Sequence, residues 1–246
     1  MRFIAKDYNT EAVMRHETEL QSQQLDEQNL LDQNIHPGLT GSKLWKMVRD
    51  IKFIPHFWDL KHQMYDEQGG LCCYCGLRIF KDTEGRKQSV EHVIPKSAHR
   101  ELVGEYKNLL LACSSTEEDA NLLGVDSTFH PSLRHCDNSK DNTTLHYTPL
   151  MPECEEVFHY DAVGNVQAVN DEAKEDVDTL QLNCNLLRVR RKAALNILFD
   201  ENNDLITDEE LRRISINIMA RDSDNRLPEF CFVIKDVAES LIIKNN

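Results

Sequence analysis

The sequence predicts a mostly helical α+β protein, with a small irregular centre held between helical flanks. Three observations predict it. Apolar residues recur at helical spacing over positions 43–68 and again beyond 185. A Gly-Asn turn between two short β-prone runs, in "VFHYDAVGNVQAV", reads as a hairpin. Between the helical stretches, at about 70–150, cysteines sit among turn residues and short apolar runs. With 246 residues, 40% of them hydrophobic, the chain can bury a real core as one large domain or two small ones.

The formal charge is −14, from 42 acidic against 28 basic residues. That balance argues against a chain that coats nucleic acid or anionic membrane through bulk electrostatics. No run of about 18 apolar residues is available for a membrane span. The start, "MRFIAKDYNTEAV", lacks the apolar stretch of a signal peptide, so a cytoplasmic protein is expected. In a reducing compartment, Cys-x-x-Cys among the eight cysteines points to a metal rather than to disulfides.

Taken in order, positions 10–35 are polar and rich in Gln and Glu until "HPGLTGS", which predicts a helix followed by a loop. Its apolar stripe is thin, as in a solvated helix or an arm that docks on another protein. Positions 43–68 predict helix interrupted by Pro55 and ended at Gly69-Gly70. Trp45, Phe53, Phe57 and Trp58 there suit core packing and could also stack bases. After the hairpin, Leu186, Val189, Ala193 and Ile197 share one predicted helix face. "TDEELRRISINIM" opens with a capping box from Thr207 to Glu210, and "PEFCFVIKDVAESLII" opens with Pro228 near its first turn. The predicted segments are 1–69, helical with possible partner docking; 70–150, the centre; and 151–246, hairpin and helices.

In "GGLCCYCG", Cys72 and Cys75 have the spacing of a knuckle whose two thiolates reach one tetrahedral ion. Cys73 falls outside that geometry. Cys113 and Cys136 are candidates for the second pair, although their separation is long, and His130 or His135 could replace one of them. Cys154, Cys184 and Cys231 look like ordinary core. Buried free thiols are the plainer reading of any of these. Four thiolates would close the coordination sphere, which makes such a zinc structural.

Chemistry is then sought in "SVEHVIPKS". Strand alternation sends Glu91 and His92 to opposite faces, and Pro95 is expected to end the strand. Phosphodiester hydrolysis needs a water deprotonated near neutral pH and a hard cation beside the phosphate. Imidazole suits the first need, with an ordinary pKa of about 6.5, and carboxylate oxygens suit Mg²⁺ or Mn²⁺.

The segments "CCYCG", "VEHVIPKS", "KNLLLAC" and "HCDNSKDN", in that order, resemble the HNH endonucleases over about residues 72–142. The resemblance implies a zinc-stabilised ββα-metal core with His92 as general base. Glu91 would join a catalytic Mg²⁺ or Mn²⁺ site, and Asn108 would brace the loop that carries His92. The third signature position falls on Asp137, where His or Asn is usual, with Asn138 as competitor if the helix shifts register. Lys140 and Lys96 become candidates for phosphate contact.

The long interval before Cys136, then "LMPECEEVFHYDAVGNV" and "LQLNCNLLRVRRKAALN", resemble one branch in particular. It comprises the PtuB-type HNH proteins of Septu and retron-linked antiphage systems, and the likeness runs from about residue 40. It implies a partner ATPase of the SMC/OLD-like PtuA type and, through that complex, a retron reverse transcriptase and its msDNA. Arg188, Arg190, Arg191 and Lys192 form the densest basic cluster, with Arg188 and Arg191 as candidate substrate contacts. The expected function is a metal-dependent endonuclease acting as effector of that complex. Its phosphate chemistry carries no base readout, so DNA and RNA such as tRNA both fit. A catalytically silent zinc adaptor for the ATPase is the rival expectation.

Overall fold

Two small antiparallel sheets, each of two strands, are embedded among helices, in keeping with the α+β expectation. The computed structural model describes residues 1–32, 34–80, 88–202 and 204–244, the last two without their side chains. Position 33 of the predicted 10–35 run lies outside them.

The run predicted as one N-terminal helix is two, α1 (Glu11–Ser22) and α2 (Glu27–Leu31). Gln24 turns the chain at φ 55°, and Asp26 restarts a helix by accepting from Asn29 N, as a good N-cap does. The thin stripe of α1 is committed to the fold, because Val13, His16 and Leu20 are buried. Next come α3 (Gly41–Val48) and α4 (Phe57–Gln68); Pro55 lies in the break between them, which is wider than the proline alone predicts, since α3 already ends at Val48. Gly69 ends α4 in the left-handed region at φ 63°, where a side chain would be strained.

The first sheet pairs β1 (Gln88–His92) with β2 (Leu109–Cys113), in a register that sets Glu91 opposite Leu110 and His92 opposite Leu109. Every residue of β2 is buried. A short apolar run of this kind, "LLLAC", serves a strand covered on both faces. Beyond it lie α5 (Glu117–Leu123), α6 (Asp137–Lys140) and α7 (Cys154–Val157). The predicted hairpin is β3 (Phe158–Tyr160) with β4 (Val166–Ala168). Then follow α8 (Asp171–Thr179), α9 (Asn185–Leu195), α10 (Asp208–Asn217) and α11 (Cys231–Lys244). The capping box from Thr207 to Glu210 opens α10 as expected. Pro228 instead precedes α11, its carbonyl accepting from Cys231 N.

The apolar face predicted for α9 is rotated. Leu186, Leu187, Arg191 and Leu195 face inward, whereas Val189, Ala193 and Ile197 are exposed. The reason is Arg191, whose guanidinium donates to the Leu182 and Leu187 carbonyls and lies 5.7 Å from the Tyr160 ring centroid. One continuous apolar core takes Leu44 and Met64 from the first predicted segment, Tyr74 and Leu110 from the second, and Leu187 and Val237 from the third. No helix among the described residues is long and apolar enough to cross a membrane.

Candidate functional site

The cysteine knuckle forms because residues 71–78 fold back on themselves. Leu71 bridges Arg78, Cys72 N donates to Leu77 O at 2.8 Å, and Gly76 N donates to Cys72 O at 3.2 Å. Buried Gln68 fastens the knuckle to β2. Its amide donates to the Leu71 and Leu111 carbonyls and accepts from Leu111 N.

The sulfurs of Cys72, Cys75, Cys113 and Cys136 lie within 4.8 Å of one another, all buried. Cys72 and Cys136 are 3.8 Å apart and Cys75 and Cys113 are 3.6 Å apart. A tetrahedral zinc with bonds of about 2.3 Å separates its sulfurs by about 3.8 Å, so the set fits zinc in both donor chemistry and spacing. Cys136 holds φ 54°, a costly conformation for a residue with a side chain. Its amide is pinned to Leu180 O at 2.9 Å.

The alternatives fall away from this group. Cys73 is outside it, tied instead by its amide to Leu111 O at 3.0 Å, and burial pushes its thiol well above the ordinary range. His130 is half-buried and contacts Ser132. His135 is buried with Nε2 at 3.3 Å from Cys113 Sγ, which makes it a neighbour of the cluster rather than a member.

At the other side of this centre, β1 ends at His92 and not at Pro95. Backbone pairing stops because Asn108 takes over. Its own carbonyl accepts from Val93 N at 3.0 Å, its side-chain oxygen accepts from Ile94 N at 2.7 Å, and its amide donates to Ile94 O and Leu102 O. Asn108 thus ties the chain on both sides of the loop that follows His92.

Alternation separates the two signature side chains. His92, 4% exposed, meets the Trp45 ring edge-on at 4.6 Å between centroids. Its Nε2 lies 3.0 Å from Val103 O. A carbonyl only accepts, so Nε2 carries the hydrogen and Nδ1 the lone pair. Burial, reinforced by the nearby Lys96 ammonium, lowers its pKa to about 4. The ring is therefore neutral at pH 7. On this side α3 approaches closely: a Cβ at Gly41 would sit 1.9 Å from the Lys96 carbonyl oxygen, so only glycine fits there.

Glu91, 2% exposed, points toward the knuckle. Its Oε1 accepts from the Tyr74 hydroxyl at 2.8 Å and stands 2.8 Å from Lys140 Nζ. Lys140 also donates to the His92 carbonyl at 3.0 Å. Asp137, one turn before Lys140 on α6, brings its carboxyl close enough to Glu91 to act on its pKa. Burial, then Asp137, push Glu91 up to about 8, against the pull of Lys140. Glu91 so raised holds its proton near neutral pH unless a cation takes its place. Paired oxygens of this kind are hard-cation donors.

Above Asp137 opens a cleft of about 1310 Å³, also lined by Lys96, Arg134, Asn138, Asn142 and Arg190. Glu91 and His92 are buried and are not among its lining residues. Lys96 has no ion-pair partner among the described residues, whereas Arg190 is bound to Glu118 and Asp119. Exposed Asn138 turns its carbonyl to Arg134, and Asp137, not Asn138, meets Glu91.

Two proposed substrate contacts need correction. Lys140, 1% exposed, is spent on Glu91 and a backbone carbonyl and cannot reach a phosphate in the cleft. Arg191 is buried and satisfied within the core, as described. Arg188 is exposed on α9 but outside the cleft lining. Pattern reading missed Tyr74 and Trp45, which touch Glu91 and His92, and Arg134 at the cleft. Only Tyr74 carried a local signal, its place between the knuckle cysteines.

The site is thus a closed sulfur cluster joined through one strand end to an acid, imidazole and amide group beside a polar cleft. Neither a family model nor a curated protein matches the chain.

Proposed function

We propose that the chain is a metal-dependent endonuclease of the HNH type that hydrolyses phosphodiester bonds. One observation carries the reading: Asn108, Asp137 and Lys140, distant in sequence, converge on Glu91-His92 at the end of β1. A hard divalent cation on the Glu91 and Asp137 oxygens would neutralise charge on the scissile phosphate and its leaving oxygen.

His92 acts as general base through Nδ1, since Nε2–H is turned to Val103 O. A phosphate entering beside the ring strengthens that base, because nearby negative charge favours imidazolium. Asn108 holds the loop in place, and Lys96 meets the phosphate from the cleft. The products carry 5′-phosphate and 3′-hydroxyl ends. The chemistry addresses the phosphate, so it serves DNA or RNA.

The test is cleavage of labelled DNA and RNA by the purified chain with Mg²⁺ or Mn²⁺, alone and with a PtuA-like ATPase. His92→Ala should lower the rate by about 10²-fold or more with zinc content unchanged, while loss of the buried ring lowers the melting temperature. Full activity in that variant would sink the assignment.

The partner reading, a nuclease effector of an antiphage complex, rests on the sequence resemblance. The net charge of −14 supports it, since an acidic chain gains from a partner that presents the polyanion. Burial of Glu91 and His92 outside the cleft lining favours a second reading, a zinc-bound adaptor without catalysis. Absence of metal-dependent cleavage by the purified complex would select it.

A further inference from the structure

The knuckle's fourth side chain has a role that zinc does not explain. Tyr74 lies between Cys73 and Cys75, fully buried, and its hydroxyl donates to Glu91 Oε1 at 2.8 Å. Glu91 is not part of the sulfur cluster. The Lys140 ammonium stands on the same oxygen at 2.8 Å. Both donors therefore converge on Oε1, and the carboxyl of Asp137 is the remaining acidic neighbour of Glu91.

A carboxylate held at one oxygen by two donors loses its rotational freedom, which orients its second oxygen. The two donors differ in how they are anchored. Lys140 reaches in from α6 on a flexible stem, whereas Tyr74 is a rigid ring on a knuckle fixed by Gln68 and by the pairing of Cys72 with Leu77. The phenol is thus the more rigid reference for the carboxylate plane.

We propose that Tyr74 is a positioning residue for a divalent-cation site at Glu91 and Asp137: it transmits the geometry of the cysteine knuckle to the Glu91 carboxylate. This rests on the endonuclease reading for the existence of that cation site. The consequence is a one-way dependence. An intact knuckle sets the affinity of the carboxylates for the cation, whereas the carboxylates contribute nothing to zinc retention.

The experiment uses the full chain with zinc in place and Mn²⁺ alone as probe. Binding is followed by the loss of the free Mn²⁺ signal in electron paramagnetic resonance, so no substrate or turnover is needed. Tyr74→Phe keeps the ring and its packing and removes only the hydroxyl. It should weaken Mn²⁺ binding by about tenfold or more, the usual cost of losing an outer partner of a ligand, with zinc stoichiometry and melting temperature held. An affinity within twofold of wild type overturns the proposal.

Loss of zinc along with Mn²⁺ binding would also overturn it, by making Tyr74 a packing element of the knuckle. Asp137→Ala separates this proposal from the reading beneath it. If wild type binds Mn²⁺ and Asp137→Ala does not, the cation site stands and Tyr74→Phe alone decides the positioning role. If wild type and Asp137→Ala take up Mn²⁺ equally, or not at all, the cation site and the proposal fall together.

Discussion

A four-cysteine cluster and a carboxyl pair share the centre of this molecule, and they are built on opposite principles. The sulfur cluster is closed: four soft donors, all buried, fill a tetrahedron and leave no position for a substrate. The carboxylate cluster is open at one side, because Asp137 reaches the cleft while Glu91 stays buried. The first keeps its charge within its own donor set. The second brings in a buried lysine, and burial, then Asp137, push Glu91 up to about 8. The contrast teaches that the centre separates a part sealed in the core from a part with one carboxyl, that of Asp137, open to the cleft. The end of β1 and the Tyr74 ring join them.

The strongest way to break that contrast is to remove a sulfur. Cys72→Ser and Cys136→Ser should each lose the zinc and unfold the centre, since structural zinc in small domains supplies about 10–16 kcal/mol of binding free energy to the fold. Metal analysis beside near-ultraviolet circular dichroism reads both effects. Asp137→Ala should retain zinc and structure. Equal zinc content in wild type and both serine variants would mean that the ligand set is wrong, and that the closed cluster is a group of free thiols.

The next effect sharpens the comparison through pH. Folding lowers the His92 pKa to about 4, below its ordinary value of about 6.5. Between those values the unfolded chain binds a proton that the folded chain refuses, so stability from this residue is present above about 6.5 and is lost as pH falls. The loss reaches about 3 kcal/mol near pH 4. Thiolates also protonate in acid and loosen zinc, so the diagnostic is the difference between wild type and His92→Asn. Urea melts from pH 7 to 5 should fall more steeply for wild type. Parallel slopes would place His92 in water rather than against Trp45.

Legibility in the sequence followed how local each cause is. The knuckle pair Cys72 and Cys75, the helix stop at Gly69, the Gly-Asn hairpin and the Thr207 capping box each depend on a few adjacent residues, and each could be read. Cys113 and Cys136 were found by their order along the chain and were left open to substitution by His135, which lies one hydrogen bond away. What escaped was burial of charge. The pattern puts Lys140 at a phosphate, Arg191 at a substrate, and Val189, Ala193 and Ile197 on the apolar face of α9 in place of Arg191, because a pattern treats a cation as polar wherever it stands. Each is stabilised inside by particular partners: Glu91 and the His92 carbonyl for Lys140, the Leu182 carbonyl, nine positions back, and the Tyr160 ring for Arg191. Leu182 apart, no local window contains them. The same holds for Trp45, whose contact with His92 joins two segments nearly fifty positions apart.

The smallest expected effect tests whether the two clusters are independent. Asn108→Ala removes one acceptor from Ile94 N at 2.7 Å and two donors, to Ile94 O at 3.0 Å and Leu102 O at 3.2 Å. A buried group left without its partner costs about 1–3 kcal/mol. Because one loop carries all three and water can enter as it loosens, the total should stay near that range. Chemical denaturation measures it. Zinc content should not change, since Asn108 touches no sulfur and β2 remains held to the knuckle by Gln68. Asn108→Asp should be no better than alanine: it keeps the acceptor for Ile94 N but turns a carboxylate toward two carbonyl oxygens. If either variant sheds zinc, the loop after His92 and the sulfur cluster form one cooperative unit, and the division between the sealed part and the open one moves from β1 to the cleft itself.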